Sequence, residues 1–396
     1  MPVPLITPNI KLSEKLKSKD RVKVDIPLDL YHCGHCGNIQ LSDIVNPEII
    51  YRNYLYETTV SMGLPDHFRA LAENVVDFAK PKQGDLMVEI GSNDGTVLSY
   101  FKELGLTVLG VDPAKSIAER ASARGLETLA AFFGVDLARR LRSERGGAKI
   151  IMANNVVANI DKMDDIAAGI FCLLAEDGVF VMETSYALDV FRDCLLDTVY
   201  HEHVSYFLVG PLDRFFKKNG LEIINVNRIA TKGGSVRIVV QKIGGPQIPD
   251  PSVAGAIAEE KEAGMGDRNR LREMEVRIES IRTDLRAQLD STGGGESAGY
   301  GASVGTQNLI HQLDIGSQIR YLVDDRPLTE NLTGPGFDLP VVGSWRLLAD
   351  RPSSIVLLAW RYADVIIAKN TEYLNKGGRF IVPLPDVEIV ETLGRC

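Results

Sequence analysis

The chain has 396 residues, a formal net charge of −9 and 45% apolar residues, enough apolar material for two or three packed cores. The acidic balance argues against a broad phosphate-gripping surface and so against a nucleic-acid partner. No run approaches the ~20 apolar residues of a membrane span, and residues 1–10 lack the basic start and apolar core of a signal peptide. Five cysteines in so long a chain do not make a disulfide framework. The expectation is a cytoplasmic protein, monomer or homodimer, acting on a small molecule, with no nucleic acid and no membrane as partner.

In chain order, residues 1–65 read as a small, weakly cored cap, with a lysine-rich start and a short hairpin over Leu28–Leu41 around Cys33-Gly-His-Cys36. Residues 66–245 alternate helices with buried strands. A helix over Asp66–Lys80 leads to strand Leu86–Ile90, helix Thr96–Leu104 and strand Val108–Val111. Helix Ala114–Ala123, helix Leu137–Glu144, strand Ile150–Ala153, helix Ile166–Leu174 and strand Gly178–Met182 continue the pattern, which predicts a parallel sheet wound on both faces. After helix Pro211–Asn219, the segments Leu221–Arg228 and Ser235–Gln241 read as a closing hairpin around Thr-Lys-Gly-Gly. Residues 246–396 open with a charged helical connection over Val253–Leu289, interrupted near Gly264 and Gly266. They then repeat α/β logic: a Gly-rich turn at Gly299-Tyr-Gly-Ala, helix Val304–Leu313, strands Ile319–Val323 and Ile355–Leu358, helix Val365–Asn375 and strand Arg379–Val382.

The sharpest motif is Glu89-Ile-Gly91-Ser92-Asn93-Asp-Gly95 at a strand end. Glycines there let the backbone approach a ligand, the following helix offers free N–H groups, and ligands of such sheets bind at the carboxyl edge. Asp112 closes the next strand, seventeen positions after Gly95, and suits a carboxylate accepting both ribose hydroxyls of a nucleoside. A nicotinamide site would prefer Gly-x-Gly-x-x-Gly, whereas Asn93 stands where the middle glycine would be, so S-adenosylmethionine is the expected cofactor. Asn154 and Asn155 follow the fourth strand on the same edge, either near the methionine moiety or as helix caps.

With Cys33-x-x-Cys36, the Glu-Ile-Gly-Ser-Asn-Asp-Gly turn, Asn154-Asn-Val-Val-Ala and Tyr200-His-Glu-His-Val-Ser-Tyr206 in this order, the chain resembles the nucleotide-sugar C-methyltransferases of deoxysugar biosynthesis, over nearly everything after residue 25. The resemblance implies a class I, Rossmann-like methyl-transfer core between an N-terminal zinc-module-like cap and a C-terminal Rossmann-like α/β domain that binds the nucleotide of a keto-sugar. It implies His203 as general base, with Tyr200 and Glu202 as its partners and Tyr54 or Tyr56 as the tyrosine of the cap. It also places Gly301 in the nucleotide-domain motifs, so that Tyr206, Gly301, Trp360 and Arg361 are the expected substrate-binding residues. An imidazole can remove a proton α to a carbonyl while Tyr hydroxyls stabilise the enolate. The same Tyr-His-Glu-His run also reads as a surface turn, or as a metal site of His201 and His203.

Three positions depart from that pattern. Only Cys33 and Cys36 remain of a four-cysteine zinc set, so a tightly held zinc is not expected; the pair also reads as a redox dithiol or as two small core residues. Asn159 stands where a histidine is usual and cannot act as a base. Val304-Gly-Thr-Gln and Trp360-Arg361 replace the usual nucleotide-site residues, which points to a different headgroup. A small-molecule O- or N-methyltransferase of natural-product biosynthesis and a non-catalytic nucleoside-binding protein are the other two readings.

Overall fold

The structure is a computed structural model that describes residues 2–4, 25–52, 54, 63–291, 297–325, 333–334 and 337–391. At the N-terminal end, strand β1 (Pro2–Pro4) pairs antiparallel with β2 (Asp25–Pro27). Strands β3 (Leu30–His32) and β4 (Ile39–Leu41) form the expected hairpin around the Cys33–Cys36 turn. Helix α1 (Pro47–Tyr51) starts where Asn46 Oδ1 accepts the Glu48 N–H at 3.0 Å and Pro47 fits the first turn.

Helix α2 (Leu64–Ala79) buries Phe68, Leu71, Ala72, Val75 and Ala79, a single helical stripe. It covers a sheet whose first strands, β5 (Leu86–Ile90), β6 (Thr107–Val111), β7 (Thr128–Leu129), β8 (Ala148–Asn154) and β9 (Leu174–Ser185), alternate with α3 (Thr96–Glu103), α4 (Lys115–Ala123), α5 (Val135–Arg145) and α6 (Met163–Leu173). These five strands are mutually parallel. Every residue of β5 is buried, as a strand covered on both faces requires. Beyond β9 the chain passes through α7 (Ala187–Arg192) to β10 (Ser205–Tyr206), which pairs with β4 of the N-terminal hairpin. Helix α8 (Val209–Lys218) then leads to β11 (Leu221–Ile229) and β12 (Ser235–Lys242). The order is β11-β12-β9-β8-β5-β6-β7, with β12 antiparallel to both neighbours. That reversed strand separates the sheet from the wholly parallel sheets of nicotinamide enzymes. The order also reverses between β5 and β8, which creates the crevice where such sheets take ligands.

The charged connection forms α9 (Pro251–Glu262) and α10 (Asn269–Asp290). The first docks on the central sheet. Glu260, buried, accepts the N–H groups of Val209 (2.5 Å) and Gly210 (2.9 Å) and the Tyr186 hydroxyl (2.7 Å), so a carboxylate sits at the positive N-terminus of α8.

The C-terminal part is a second seven-stranded sheet. Its elements are β13 (Ser297–Tyr300), α11 (Val304–Leu313), β14 (Ile319–Val323), β15 (Thr333–Gly334), β16 (Leu339–Val342), α12 (Arg346–Asp350), β17 (Ser354–Val356), α13 (Ala363–Lys369), α14 (Thr371–Asn375), β18 (Phe380–Val382) and β19 (Glu388–Val390), in the order β15-β16-β14-β13-β17-β18-β19. Only β15 and β19 run antiparallel to their neighbours. Two local expectations are corrected here. The turn expected at Gly299 is the end of the central strand β13, and the helix expected over Val365–Asn375 is two helices that meet at Asn370, whose side chain donates to the Ile366 carbonyl (2.8 Å). Among the described residues no helix is long and apolar enough to cross a membrane.

Candidate active site

A cavity of about 760 Å³ opens at the carboxyl ends of β5, β6 and β8, within the size range of small-molecule sites. Its floor is the turn after β5. Gly91 has φ +70, and a Cβ there would lie 2.8 Å from Val156, so the backbone closes down where only glycine fits. Gly95 caps α3 at φ +79, with Leu126 at 2.8 Å from a would-be Cβ. Asn93 and Asn155 hold left-handed backbones, φ 48 and 54, which Asn adopts more readily than most residues. Asp112 fixes the turn: its Oδ2 accepts the Asn93 N–H and its Oδ1 the Ala114 N–H, both at 2.9 Å. Burial raises the Asp112 carboxyl, and these two donors oppose the rise. Glu89 lies beneath, held well above the usual carboxylate range by burial and by the Asp94 and Asp112 carboxylates.

Opposite this floor stands the loop over residues 195–206, which two other parts of the chain anchor. From the C-terminal sheet, Gln312 Nε2 donates to the Val199 carbonyl (2.5 Å) and Arg361 to Asp197 (2.8 Å). From the N-terminal part, Tyr51 donates to the Glu202 carbonyl (3.2 Å), Leu41 N–H to the Val204 carbonyl (2.9 Å), and His201 Nε2 lies 3.1 Å from the Ile26 carbonyl.

The loop sets the tautomer of His203. Nδ1 lies 2.7 Å from the Thr198 carbonyl, which can only accept, so Nδ1 carries the hydrogen and Nε2 keeps a lone pair. The Tyr200 hydroxyl, 3.1 Å away, donates to that lone pair. Burial and the Lys232 charge push the imidazole down to about 4, against the Thr198 carbonyl, so it is neutral at physiological pH. Glu202 is 2% exposed. Its Oε2 accepts the Tyr54 hydroxyl at 3.0 Å, and burial pushes it up to about 7 against that bond and Lys232.

Gly91, Asn93, Asp112, Asn154 and Asn155 of the cofactor expectation therefore line one cavity with Tyr54, Asn159, Tyr200, Glu202 and His203 of the catalytic expectation. Glu89, Ser92 and Gly95 stand behind the surface as supports; Ser92 Oγ fills the space above Gly110. Tyr56 lies outside the described residues. The expected substrate residues do not reach this cavity. Tyr206 is drawn into the core by the β10–β4 pairing, its hydroxyl 3.5 Å from the Thr198 carbonyl. Gly301 and Trp360-Arg361 sit instead at the carboxyl ends of β13 and β17, the crevice of the second sheet. Cys33 and Cys36 lie at the hairpin turn, where backbone N–H groups of Cys36 and His35 draw the Cys33 thiol below its ordinary value. Among the described residues no group of three or more His, Cys, Asp or Glu gathers as metal ligands; both His203 nitrogens are engaged, and His201 turns to Ile26.

Two lining residues beside Glu202 and His203, Tyr51 and Lys232, have no counterpart in the expectations. Tyr51 ends α1 three residues before Tyr54, the rings 5.6 Å apart, a proximity that was available in the sequence. Lys232, in the turn between β11 and β12, is signalled only by topology. Beside it Glu183, fully buried at the end of β9, bonds His67 (2.7 Å) and Arg237 (3.0 and 3.2 Å); burial would raise its carboxyl, but His67 and Arg237 more than offset this and hold it low.

The buried Asn154 amide lies against the Glu89 carboxyl and opposes its rise, and the polar atoms these two groups leave without a strict hydrogen bond fit an adenosyl amino acid, which brings both donors and acceptors. Residues 65–226 match the methyltransferase domain family and residues 230–385 the C-methyltransferase C-terminal domain family. C-methyltransferase NovU of Streptomyces niveus is 32% identical over 92% of this chain and 87% of its own. The chain belongs to the S-adenosylmethionine-dependent C-methyltransferases. Transfer to carbon thereby replaces the O- or N-methyl alternative, and catalysis the non-catalytic one. Among solved structures, magnesium protoporphyrin IX methyltransferase of Synechocystis with bound S-adenosylmethionine is 12% identical, with 45% of this chain and 79% of that chain covered at a TM-score of 0.33. The PH0226 protein of Pyrococcus horikoshii is 13% identical, with 50% and 96% covered at 0.38.

Proposed function

We propose that the acceptor is a carbon next to the carbonyl of a nucleotide-activated keto-sugar of deoxysugar or other natural-product biosynthesis, and that His203 is the general base. The observation that carries this reading is the meeting, in one cavity, of the glycine turn and Asp112 with a neutral imidazole whose basic nitrogen faces the Tyr200 hydroxyl. In this reading Gly91, Asn93, Asp112, Asn154 and Asn155 hold the cofactor, which supplies a methyl group on a sulfonium leaving group. The proton removed from the sugar enters the Tyr200–His203 pair and ends on Nε2, and the Thr198 carbonyl receives Nδ1–H throughout, steadying the imidazolium. Residues 1–65 close over the sugar through Tyr51 and Tyr54. Residues 66–245 perform the transfer, and residues 246–396 take the nucleotide at the second crevice, near Gly301, Trp360 and Arg361. Arg361, stacked over Trp360 at 5.1 Å and bonded to Asp197, connects that crevice with the catalytic loop.

One observation favours a second base. Glu202 Oε1 is buried and unpartnered, and its carboxyl, at about 7, matches the operating pH better than an imidazole at about 4. The test of the proposal is incubation with methyl-labelled S-adenosylmethionine and a thymidine-diphosphate keto-deoxyhexose. Label on a ring carbon is the expected result; label on oxygen, or none, overturns it. Calorimetric titration with S-adenosylhomocysteine and then thymidine diphosphate is expected to show two independent sites, and no binding of the second removes the nucleotide from the reading.

A further inference from the structure

Ser235 of β12 is in register with Ser185 of β9, so the turn between β11 and β12 lies at the carboxyl end of β9, on the edge where the cavity opens. Lys232 holds a left-handed backbone there, φ 55 and ψ 25, uncommon for a residue with a side chain. The turn cannot shift freely, because a Cβ on Gly233 would lie 2.5 Å from Arg361 and one on Gly234 would lie 2.5 Å from Asp189. The result is a lysine that lines the cavity together with Tyr54, Tyr200, Glu202 and His203.

Among the described residues its neighbours leave its donors uncommitted. Glu183 Oε1 already takes His67 and Thr231, and Oε2 takes Arg237. Glu202 Oε2 takes Tyr54. Among the described residues nothing hydrogen-bonds the Lys232 ammonium. Burial lowers it to about 8, with Glu183 and Glu202 opposing and Arg361 assisting, which leaves it cationic at neutral pH. The tyrosines, by contrast, are spent as donors: Tyr54 on Glu202 and Tyr200 on His203. The expectation that tyrosine hydroxyls receive the enolate charge therefore meets hydroxyls already in use.

We infer that Lys232 is a catalytic residue whose ammonium binds the acceptor's carbonyl oxygen and stabilises the enolate that forms when the neighbouring carbon loses its proton. The inference rests on the reaction proposed above. In that step the C–H bond breaks, its proton ends on His203 Nε2, its electron pair forms the C=C bond of the enolate, and the carbonyl π pair moves onto the oxygen beside Lys232. A fixed cation facing developing negative charge in a water-poor site is among the strongest catalytic devices.

The experiment is exchange of the acceptor's α-hydrogen in heavy water, read by mass spectrometry. The protein is saturated with S-adenosylhomocysteine, so that no methyl can move, and offered a thymidine-diphosphate keto-deoxyhexose. Lys232→Met is expected to slow exchange by about 10²–10³-fold with S-adenosylhomocysteine affinity unchanged, and Lys232→Arg to recover at least tenfold over the Met variant because the charge returns. Exchange by the Met variant within threefold of the parent overturns the inference. So does a raised KM with unchanged kcat, which would make the lysine a phosphate grip, or loss of cofactor binding, which would make it structural. If the parent protein itself fails to exchange the hydrogen, the reaction reading falls and the lysine's role with it; exchange by the parent but equally by the variant sinks the lysine alone.

Discussion

The carboxyl edges of the two sheets are built on the same backbone device and put to different ends. After β5 the turn is fixed by Asp112, which accepts the Asn93 N–H; after β13 it is fixed by Asp324, whose Oδ2 accepts the Ala302 N–H at 3.1 Å. Both turns begin with a glycine at positive φ, Gly91 at +70 and Gly301 at +117. The central edge opens into the large cavity. The C-terminal edge is closely packed at its glycines, where a Cβ on Gly301 would touch Ala359 at 3.0 Å and one on Gly305 would lie 2.6 Å from the Asp197 carbonyl. The difference teaches that the turn chemistry makes a site available, and that the loop laid over it decides what the site is for. Here the loop over 195–206 covers the start of α11 with its back and faces the central cavity with its reactive side.

The largest test of that division is His203→Asn. Turnover is expected to fall by about 10²–10⁴-fold, with both S-adenosylhomocysteine and thymidine diphosphate titrations unchanged, since neither turn contains the residue. Equal loss of cofactor binding would place His203 in the floor of the cavity and break the comparison.

The pH profile of kcat/KM separates the two bases. A base works in its unprotonated form, and His203, at about 4, stays unprotonated down to about that pH. Glu202, at about 7, loses its carboxylate form as pH falls through 7. Activity held from pH 7 to 5 is expected for His203, whereas a loss of about tenfold per pH unit below 7 is the mark of Glu202.

Paired substitutions sharpen the comparison further. Asp112→Asn is expected to weaken S-adenosylhomocysteine binding by about tenfold or more, the scale of a lost charge-assisted hydrogen bond, and to leave thymidine diphosphate binding alone. Asp324→Asn should do the reverse, and cross-effects in either titration would show that the two edges are not separate sites. The smallest effects concern stability. Gly91→Ala and Gly301→Ala each force a Cβ into a neighbour at a left-handed position, costing about 1–3 kcal/mol in thermal or denaturant unfolding, but only the first is expected to lower cofactor affinity.

Much of the central sheet was legible because its strands are largely apolar runs, as in Ile150–Ala153, and its helices carry clear stripes. The second sheet was less so. Its central strand β13 reads Ser-Ala-Gly-Tyr, with none of the branched residues that signal a strand, because Leu322 and Leu358 press against Gly299 to within 2.8 and 2.7 Å of a would-be Cβ. Packing by neighbours far along the chain chose those small residues, and no local pattern records it. The same holds for the site. The glycine turn and Asp112 were readable from strand-end chemistry, and Tyr200, Glu202 and His203 through resemblance. Tyr206 was misplaced because the β10–β4 pairing, a contact across about 165 residues, buries it. Lys232 was read as part of a hairpin turn, since only the reversed strand β12 delivers it to the reacting edge.

The anchoring of the 195–206 loop from both ends of the chain bears on recombining such enzymes. On the proposed function, exchanging everything after residue 245 for a relative's segment would transplant a headgroup preference and leave the transfer chemistry behind. Yet Gln312, Gly305 and Arg361 hold the loop that carries the imidazole, and Glu260 finishes α8, so the swapped segment brings half of the base's support with it. A working chimaera would need its seam beyond α9 and would have to keep those three contacts, or redesign the loop to match its new neighbour.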